Sequence, residues 1–584
     1  MKKRIKTLVA LGLVMAMVTG CGNSAQKETE TSTAGKSSDS ATENSASVNN
    51  DEEESSYPEY LNMEGAYPIL KDEYAGEIKL KVAMLWGSGC GEWEDIWFSK
   101  YLKEKYNIEL EVELIMDSAM GEKKSLMFNT GELPDIMINF GLTTAELMNY
   151  GVKEGLLLDC TDYINEELTP GLAYWFEDST VRGACTTPDG AIYTLPGINR
   201  ADSEGSVLPR ASINVAWLES QGLKVPTTLD EFTEAMYALK EADPGNVGSE
   251  NMYPLSGSAN GRTNGTFLLN AFGYSCTDTV AAVFGLEPAL RNGEAVLPIY
   301  DMDVFQEYLK LLKQYYEDGI ISSDYFTMDF GEVDTQVMTN RTAVSFELPA
   351  VFGGMVDTDW DILSPLTSEW NEEPLVPQFD YVTVGNFVIS ADTEYPELCM
   401  KFADIYYNFI TDDPYATWVG SGVGSEWDYG YCHAEFDPEK KTQVFDESKM
   451  EGLDLFSYLL GRLAGYPPLF GAVNSAESVL KHFPDYDFNN FDDTPLGRAS
   501  KSLKENLVPY MKEKFPSVYY LDEESTLRIS ELKTIIDPYV KEQVALFVIG
   551  ERPLSETEEF IDELEGMGIQ ELVGYYQQIY SSYK

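Results

Sequence analysis

Between Ile78 and Ile138 the chain switches repeatedly between two hydrophobic periods, and this switching restricts the fold more than any other feature. Ile78, Leu80, Val82 and Met84 fall on alternate positions, as one face of a strand requires. A loop at Gly87–Gly91 follows, and Trp93, Ile96, Trp97 and Tyr101 then recur at helical spacing. Ile108, Leu110, Val112 and Leu114 alternate again, Glu122 to Asn129 suits a helix, and Ile136, Met137 and Ile138 make a third strand. A strand–helix–strand–helix–strand succession buries its faces in a parallel sheet with helical crossovers, so an α/β fold is expected. Ligands of such open sheets sit beyond the carboxyl ends of the strands. That rule singles out Trp86, Gly87 and Ser88 after the first strand, and Asn139, Phe140 and Gly141 after the third.

Farther along, Thr228 with Glu231 and Ser555 with Glu558 have the spacing of a capping box, each ahead of a run with helical periodicity. From about Glu531 to Lys584 the pattern is nearly all helical, with Gly550 and Gly568 placed to stop helices. Trp93, Trp97 and Trp217 lie on predicted helices and are read as core residues. No repeat of fixed period stands out.

The start of the chain speaks to location. Lys2, Lys3, Arg4 and Lys6 form a basic start, and the apolar run from Thr7 to Val18 is too short for a permanent membrane span. Val18-Thr19-Gly20-Cys21 resembles the bacterial lipobox, in which the cysteine is acylated. Residues 1–20 are therefore expected to be a signal peptide, and Cys21 the lipidated N-terminus of the mature protein. Residues 22–56 are almost all small, polar or charged, with no aromatic residue, so they cannot bury enough surface to fold. They read as a tether spanning roughly 33 Å as a flexible coil. The expected address is the outer face of the cell membrane, reached through the lipid.

Roughly 530 residues remain beyond the tether, more than one core usually serves, so at least two lobes are expected. With 98 acidic and 41 basic residues the formal charge is -57, which repels phosphate backbones, and nucleic acid is excluded as a partner. His433 and His482 are the only histidines, which removes most routes to a zinc site, a serine triad or a histidine base. Cys90, Cys160, Cys185, Cys276, Cys399 and Cys432 are scattered without a CxxC pair and read mostly as small buried hydrophobes. No catalytic constellation, metal site or cofactor is expected.

Several stretches together resemble the family of extracellular solute-binding lipoproteins that feed carbohydrate ABC importers. They are NTGELPDIMI from Asn129, EGLLLDCTDYI from Glu154, DGAIYTLPG from Asp189, WLESQGLKVPTTLDEF from Trp217, and the segment from Tyr539 to Lys584, which resembles the closing helices of the longer members. Each element is weak alone; five in order are specific. The resemblance implies a two-lobed, periplasmic-binding-protein-like fold of type II with a helical C-terminal region. One lobe would take approximately residues 77–195 plus later returning segments. The other would take approximately 200–380 plus parts of the C-terminal half. It also implies a monomer that passes a carbohydrate, an oligosaccharide, to ABC permease subunits without chemistry. Longer relatives often carry a calcium-like loop; here Val247, within Asp243–Asn251, stands where an oxygen ligand belongs, so calcium is not expected.

A sugar needs aromatic platforms for its C–H faces and side chains that bond its hydroxyls in pairs. Trp86 at the sheet edge, and Trp418, Glu426 and Trp427 around the glycine-rich stretch Val419–Gly430, are candidates. Asn199 and Arg200 end the crossing strand, Asn260 lies in a polar loop, and Asn386 sits in YVTVGNFVIS, a returning strand by the same resemblance. With Asn139 and Phe140 these complete the candidate set. Two rival functions stay open: a lipid-anchored glycoside hydrolase using paired carboxylates, and a receptor for a peptide or other small polar solute.

Overall fold

A computed structural model describes residues 57–584, apart from 66, 87–89, 200–210, 261–262, 278, 347–358, 379, 409–433, 438–441, 446–460, 463–472, 475–484, 486 and 488–494. Cys21, the signal peptide and the tether therefore lie outside the described residues, as do Arg200, Trp418, Glu426, Trp427, Cys432 and both histidines.

The alternation at the start of the chain becomes β1 (Lys79–Trp86), α1 (Trp97–Tyr106), β2 (Glu109–Met116), α2 (Asp117–Thr130) and β3 (Ile136–Ile138). β1 pairs in parallel with both other strands, Val82 lying level with Val112 and Ile136. Period 2 sends alternate residues to opposite faces. Leu80, Val82, Met84, Ile136 and Ile138 enter one core, while Ala83, Ile115 and Met137 enter a smaller one on the other face. Burial on both faces is what a parallel sheet needs. Trp93 precedes α1 in a short 3-10 turn, and α1 stops at Asn107, whose left-handed backbone (φ 57°) ends the helix.

Three later segments complete this sheet: β4 (Leu195–Asn199), β5 (Val382–Ile389) and β6 (Val473–Asn474). The order is β6-β4-β5-β3-β1-β2. β5 runs antiparallel to both neighbours, and β6 runs parallel to β4. Residues from 382–407 therefore fold back onto the core begun by residues 61–198.

A second core gathers residues between Ala211 and Leu366 with Phe515 and the C-terminal helices. α3 (Glu523–Ile549) contributes Leu532, Ile536, Val540 and Val544, α4 (Thr557–Met567) contributes Phe560 and Leu564, and α5 (Ile569–Tyr583) contributes Leu572 and Tyr576. Each such side chain, fully buried, contributes about 1.5–3 kcal/mol. Gly550 and Gly568 end α3 and α4 in the left-handed region, as expected. Thr228 forms the full capping box with Glu231. Ser555 does not: it lies in a 3-10 turn at Leu554–Glu556, and α4 starts at Thr557 with Glu556 as its cap residue. Glu558 then occupies the second helical position, one short of where a capping-box partner must stand.

Cys160, Cys185, Cys276 and Cys399 are buried, as small hydrophobes would be. In the loop after residue 242, both Asp243 carboxylate oxygens accept backbone N–H groups, from Val247 at 3.1 Å and Gly248 at 2.8 Å. The carboxylate organises the loop itself. Among the described residues, no helix is long and apolar enough to cross a membrane.

Candidate functional site

β1, β3, β4 and β6 all point the same way, so their carboxyl ends face one edge of the sheet. Leu195 is level with Phe387, which is level with Ile138, the last residue of β3. β4 and the first half of β5 therefore project past the end of β3. Asn199 closes β4 four positions after Leu195, roughly 13 Å farther along, and Asn474 of β6 lies beside it. The sequence reading missed Asn474, because a two-residue strand carries no periodicity and only pairing reveals it.

Asn139 and Asn386 meet at the level where β3 ends. The Asn139 N–H donates to the Asn386 carbonyl at 2.6 Å, and the Leu142 N–H donates to the Gly385 carbonyl at 3.0 Å. Asn139 and Gly141 both adopt φ 58°, which swings the chain away from the sheet. Gly385, at φ 78°, accepts this approach because it has no side chain; a β-carbon there would stand 1.8 Å from the Leu142 oxygen. The Asn139 Nδ2 is buried with no hydrogen-bond partner among the described residues.

Trp86 ends β1 as expected, but its ring is enclosed rather than open at the edge. It is 5% exposed, meets Trp93 edge-on at 6.2 Å, and its indole N–H donates to the Gly91 carbonyl at 3.1 Å. Phe140 is 2% exposed in the smaller core. Asn260 is exposed, but its side-chain amide already donates to the Phe326 carbonyl at 2.8 Å. Trp93 and Trp97 are core residues, as read from their spacing, and Trp217 packs partly buried against the second core.

Among the described residues, two segments carry side-chain anchors to both cores. At the first, adjacent residues are anchored to different cores. Asp380 pairs with Lys514 at 2.9 Å on the side of the second core, while the Tyr381 hydroxyl donates to Asp178 at 2.8 Å on the first. At the second, Phe515 is buried in the second core, and the Tyr520 hydroxyl donates to the Ala184 carbonyl at 3.0 Å in the first. Lys153 and Glu523 add an exposed ion pair at 2.7 Å. Burial raises the Tyr520 hydroxyl above its ordinary pKa, so it stays a donor at physiological pH.

Residues 97–421 match the family model described as bacterial extracellular solute-binding protein. The chain belongs to this family. Its members are binding proteins, and the resemblance to extracellular solute-binding proteins is borne out; four of the five motifs fall within the matched residues. Among curated relatives, the fructooligosaccharide ABC transporter substrate-binding protein FusA of Streptococcus pneumoniae is 24% identical over 80% of this chain and 83% of its own length. Lipoprotein LipO of Bacillus subtilis is 25% identical over 41% of this chain and 44% of its own. Among solved structures, FusA in complex with kestose superposes with a TM-score of 0.69 at 21% identity, covering 87% of this chain and 99% of that one. An HMO-binding solute-binding protein from Bifidobacterium longum infantis gives 0.66 at 18% identity, with coverage of 87% and 99%. These superpositions establish the two-lobed α/β fold.

Proposed function

We propose that this protein is a lipid-anchored receptor on the outer face of the cell membrane that captures an oligosaccharide and delivers it to ABC permease subunits. It acts as a monomer and performs no chemistry. The observation that carries this reading is the match, along four-fifths of both chains, to a relative named for fructooligosaccharide uptake. The sheet edge supports it. Asn139 and Asn386 lie, and Asn199 ends its strand, toward the edge where an open sheet holds its ligand, and an asparagine amide can both donate and accept. Arg200, Asn260 and Glu426 add further hydrogen-bonding groups, and Trp418 and Trp427 supply ring faces. Trp86 and Phe140, enclosed as they are, back the site rather than stack on a sugar. The first lobe takes approximately residues 77–195 with the returning strands, and the second approximately 200–380 with the C-terminal helices.

Calorimetric titration of the purified protein with neutral oligosaccharides, kestose among them, and with control peptides tests the reading. Binding of an oligosaccharide that is recovered intact supports it. Binding of peptides alone, or release of shortened sugars that a carboxylate substitution abolishes, replaces it with one of its rivals. For the anchor, Cys21→Ala should move the protein into the medium or leave it unprocessed; a variant that is cleaved yet stays on the membrane overturns lipidation at Cys21.

A further inference from the structure

We propose that Thr194 is a positioning residue for ligand capture: its buried hydroxyl holds the irregular turn of β5 that sets Asn386 and, through it, Asn139. The inference rests on the receptor reading above. The ladder between β5 and β4 shifts register between Thr383 and Phe387, so the backbone between these positions loses its regular partners on β4. Thr194, 1% exposed just ahead of β4, fills the gap. Its Oγ1 accepts the Gly385 N–H at 2.8 Å and lies 3.3 Å from the Phe387 and Leu195 carbonyls, to either of which its proton can be donated. One hydroxyl thus serves backbone groups on both sides of Asn386.

On the opposite side of β5, the chain leaving β3 uses the carbonyls that Thr194 does not, through the Leu142–Gly385 and Asn139–Asn386 hydrogen bonds described above. Gly197 permits a further close approach, since a β-carbon there would stand 2.4 Å from Thr383 Oγ1. Asn386 is therefore held between β4 and the chain leaving β3, with little freedom to rotate its backbone. Bulges recur where a strand must re-aim a side chain. Here the irregular stretch carries Asn386, and its neighbour Asn139 keeps a buried Nδ2 donor without a partner among the described residues. Buried donors are nearly always paired in folded proteins, and at the carboxyl edge of the sheet the missing partner is a ligand oxygen. A sugar hydroxyl, which both donates and accepts, matches asparagine amides carried on two residues whose backbones are hydrogen-bonded to each other.

Thr194→Val removes the hydroxyl at nearly constant volume, and Thr194→Ser keeps it. Wild-type protein is titrated with kestose, maltotetraose, cellotetraose and a set of peptides, and the tightest binder becomes the probe, at a temperature where every variant is folded. Thr194→Val should weaken binding by roughly fivefold or more, Thr194→Ser should restore it, and Thr194→Val should add no further weakening in an Asn386→Ala background. A valine variant that binds like wild type overturns the proposal. So does a serine variant as weak as the valine one, or an equal loss in both backgrounds, which would mark Thr194 as merely structural. If the probe is a peptide, the carbohydrate reading falls while the positioning role is still decided by the same cycle. If nothing binds, both fall.

Discussion

Asp404 shows how much a single buried carboxylate contributes to the pH response of the fold. It accepts the Leu172 N–H at 2.8 Å, the Gly171 N–H at 3.3 Å and the Asn408 side-chain amide at 3.1 Å, yet burial still pushes its pKa up to about 6 from an ordinary 3.8. The folded state thus holds its proton to higher pH than the unfolded chain does. Its contribution to stability is full below about pH 3.8 and lost as pH rises through about 6. Asp404→Asn should remove that slope, shrinking the difference in unfolding free energy between pH 4 and pH 7 by on the order of 3 kcal/mol, as read by urea melts at the two pH values. An unchanged difference would mean that the folded state keeps Asp404 ionised. Trp86 makes the complementary case for packing. Truncating so enclosed a ring to alanine should cost about 3–5 kcal/mol in the ligand-free protein; a melt close to that of wild type would show that the ring stands open in solution.

At the scale of elements, caps were legible where the helix begins at the expected residue and illegible where it does not. Thr228 and Ser555 carry the same local signal, but a 3-10 turn ahead of α4 moves that helix start and strands Ser555. Thr228→Ala should therefore cost about 1 kcal/mol in denaturant melts, while Ser555→Ala should stay within about 0.5 kcal/mol. Equal costs would contradict the observed caps. α3 is a second instance. Pro538 argues locally for a break, since it removes one helical hydrogen bond, yet the helix runs from Glu523 to Ile549. Ile536, Val540 and Val544 are buried in the second core on either side of the proline, and that packing outweighs the local cost.

For the whole molecule, the segments that cross between the two cores set part of the energetics, and ligand binding adds to it. Lys514 is 8% exposed and pairs with Asp380 in the crossing segment, whereas Lys153 and Glu523 are both largely in solvent. Asp380→Ala should cost roughly 1–3 kcal/mol by leaving a buried ammonium short of its counter-charge. Lys153→Ala should cost under about 1 kcal/mol, and thermal melts of the two variants would separate these cases. Ligand at one hundred times its Kd should add about 2.7 kcal/mol to the stability of the receptor, as any binder of the folded state alone must. A sugar that saturates the protein calorimetrically without raising its melting temperature would contradict binding to the native fold alone.

What the sequence by itself determined is whatever a short window can encode. The alternation at Ile78–Ile138 specified three parallel strands and their two helices, the glycines at 550 and 568 specified helix ends, and five short motifs specified the family. Tertiary structure alone decided which distant segments share the edge of the first sheet. β5 pairs with β4 across nearly two hundred residues, Asn474 joins Asn199, and Trp86 is enclosed with its indole N–H on the Gly91 carbonyl. Periodicity encodes which face of a strand is buried, but not which strand lies beside it or in what register. Register across such a separation is chosen by packing both faces of the sheet at once. The bulge at Gly385 and the hydroxyl of Thr194 exist only once that choice is made.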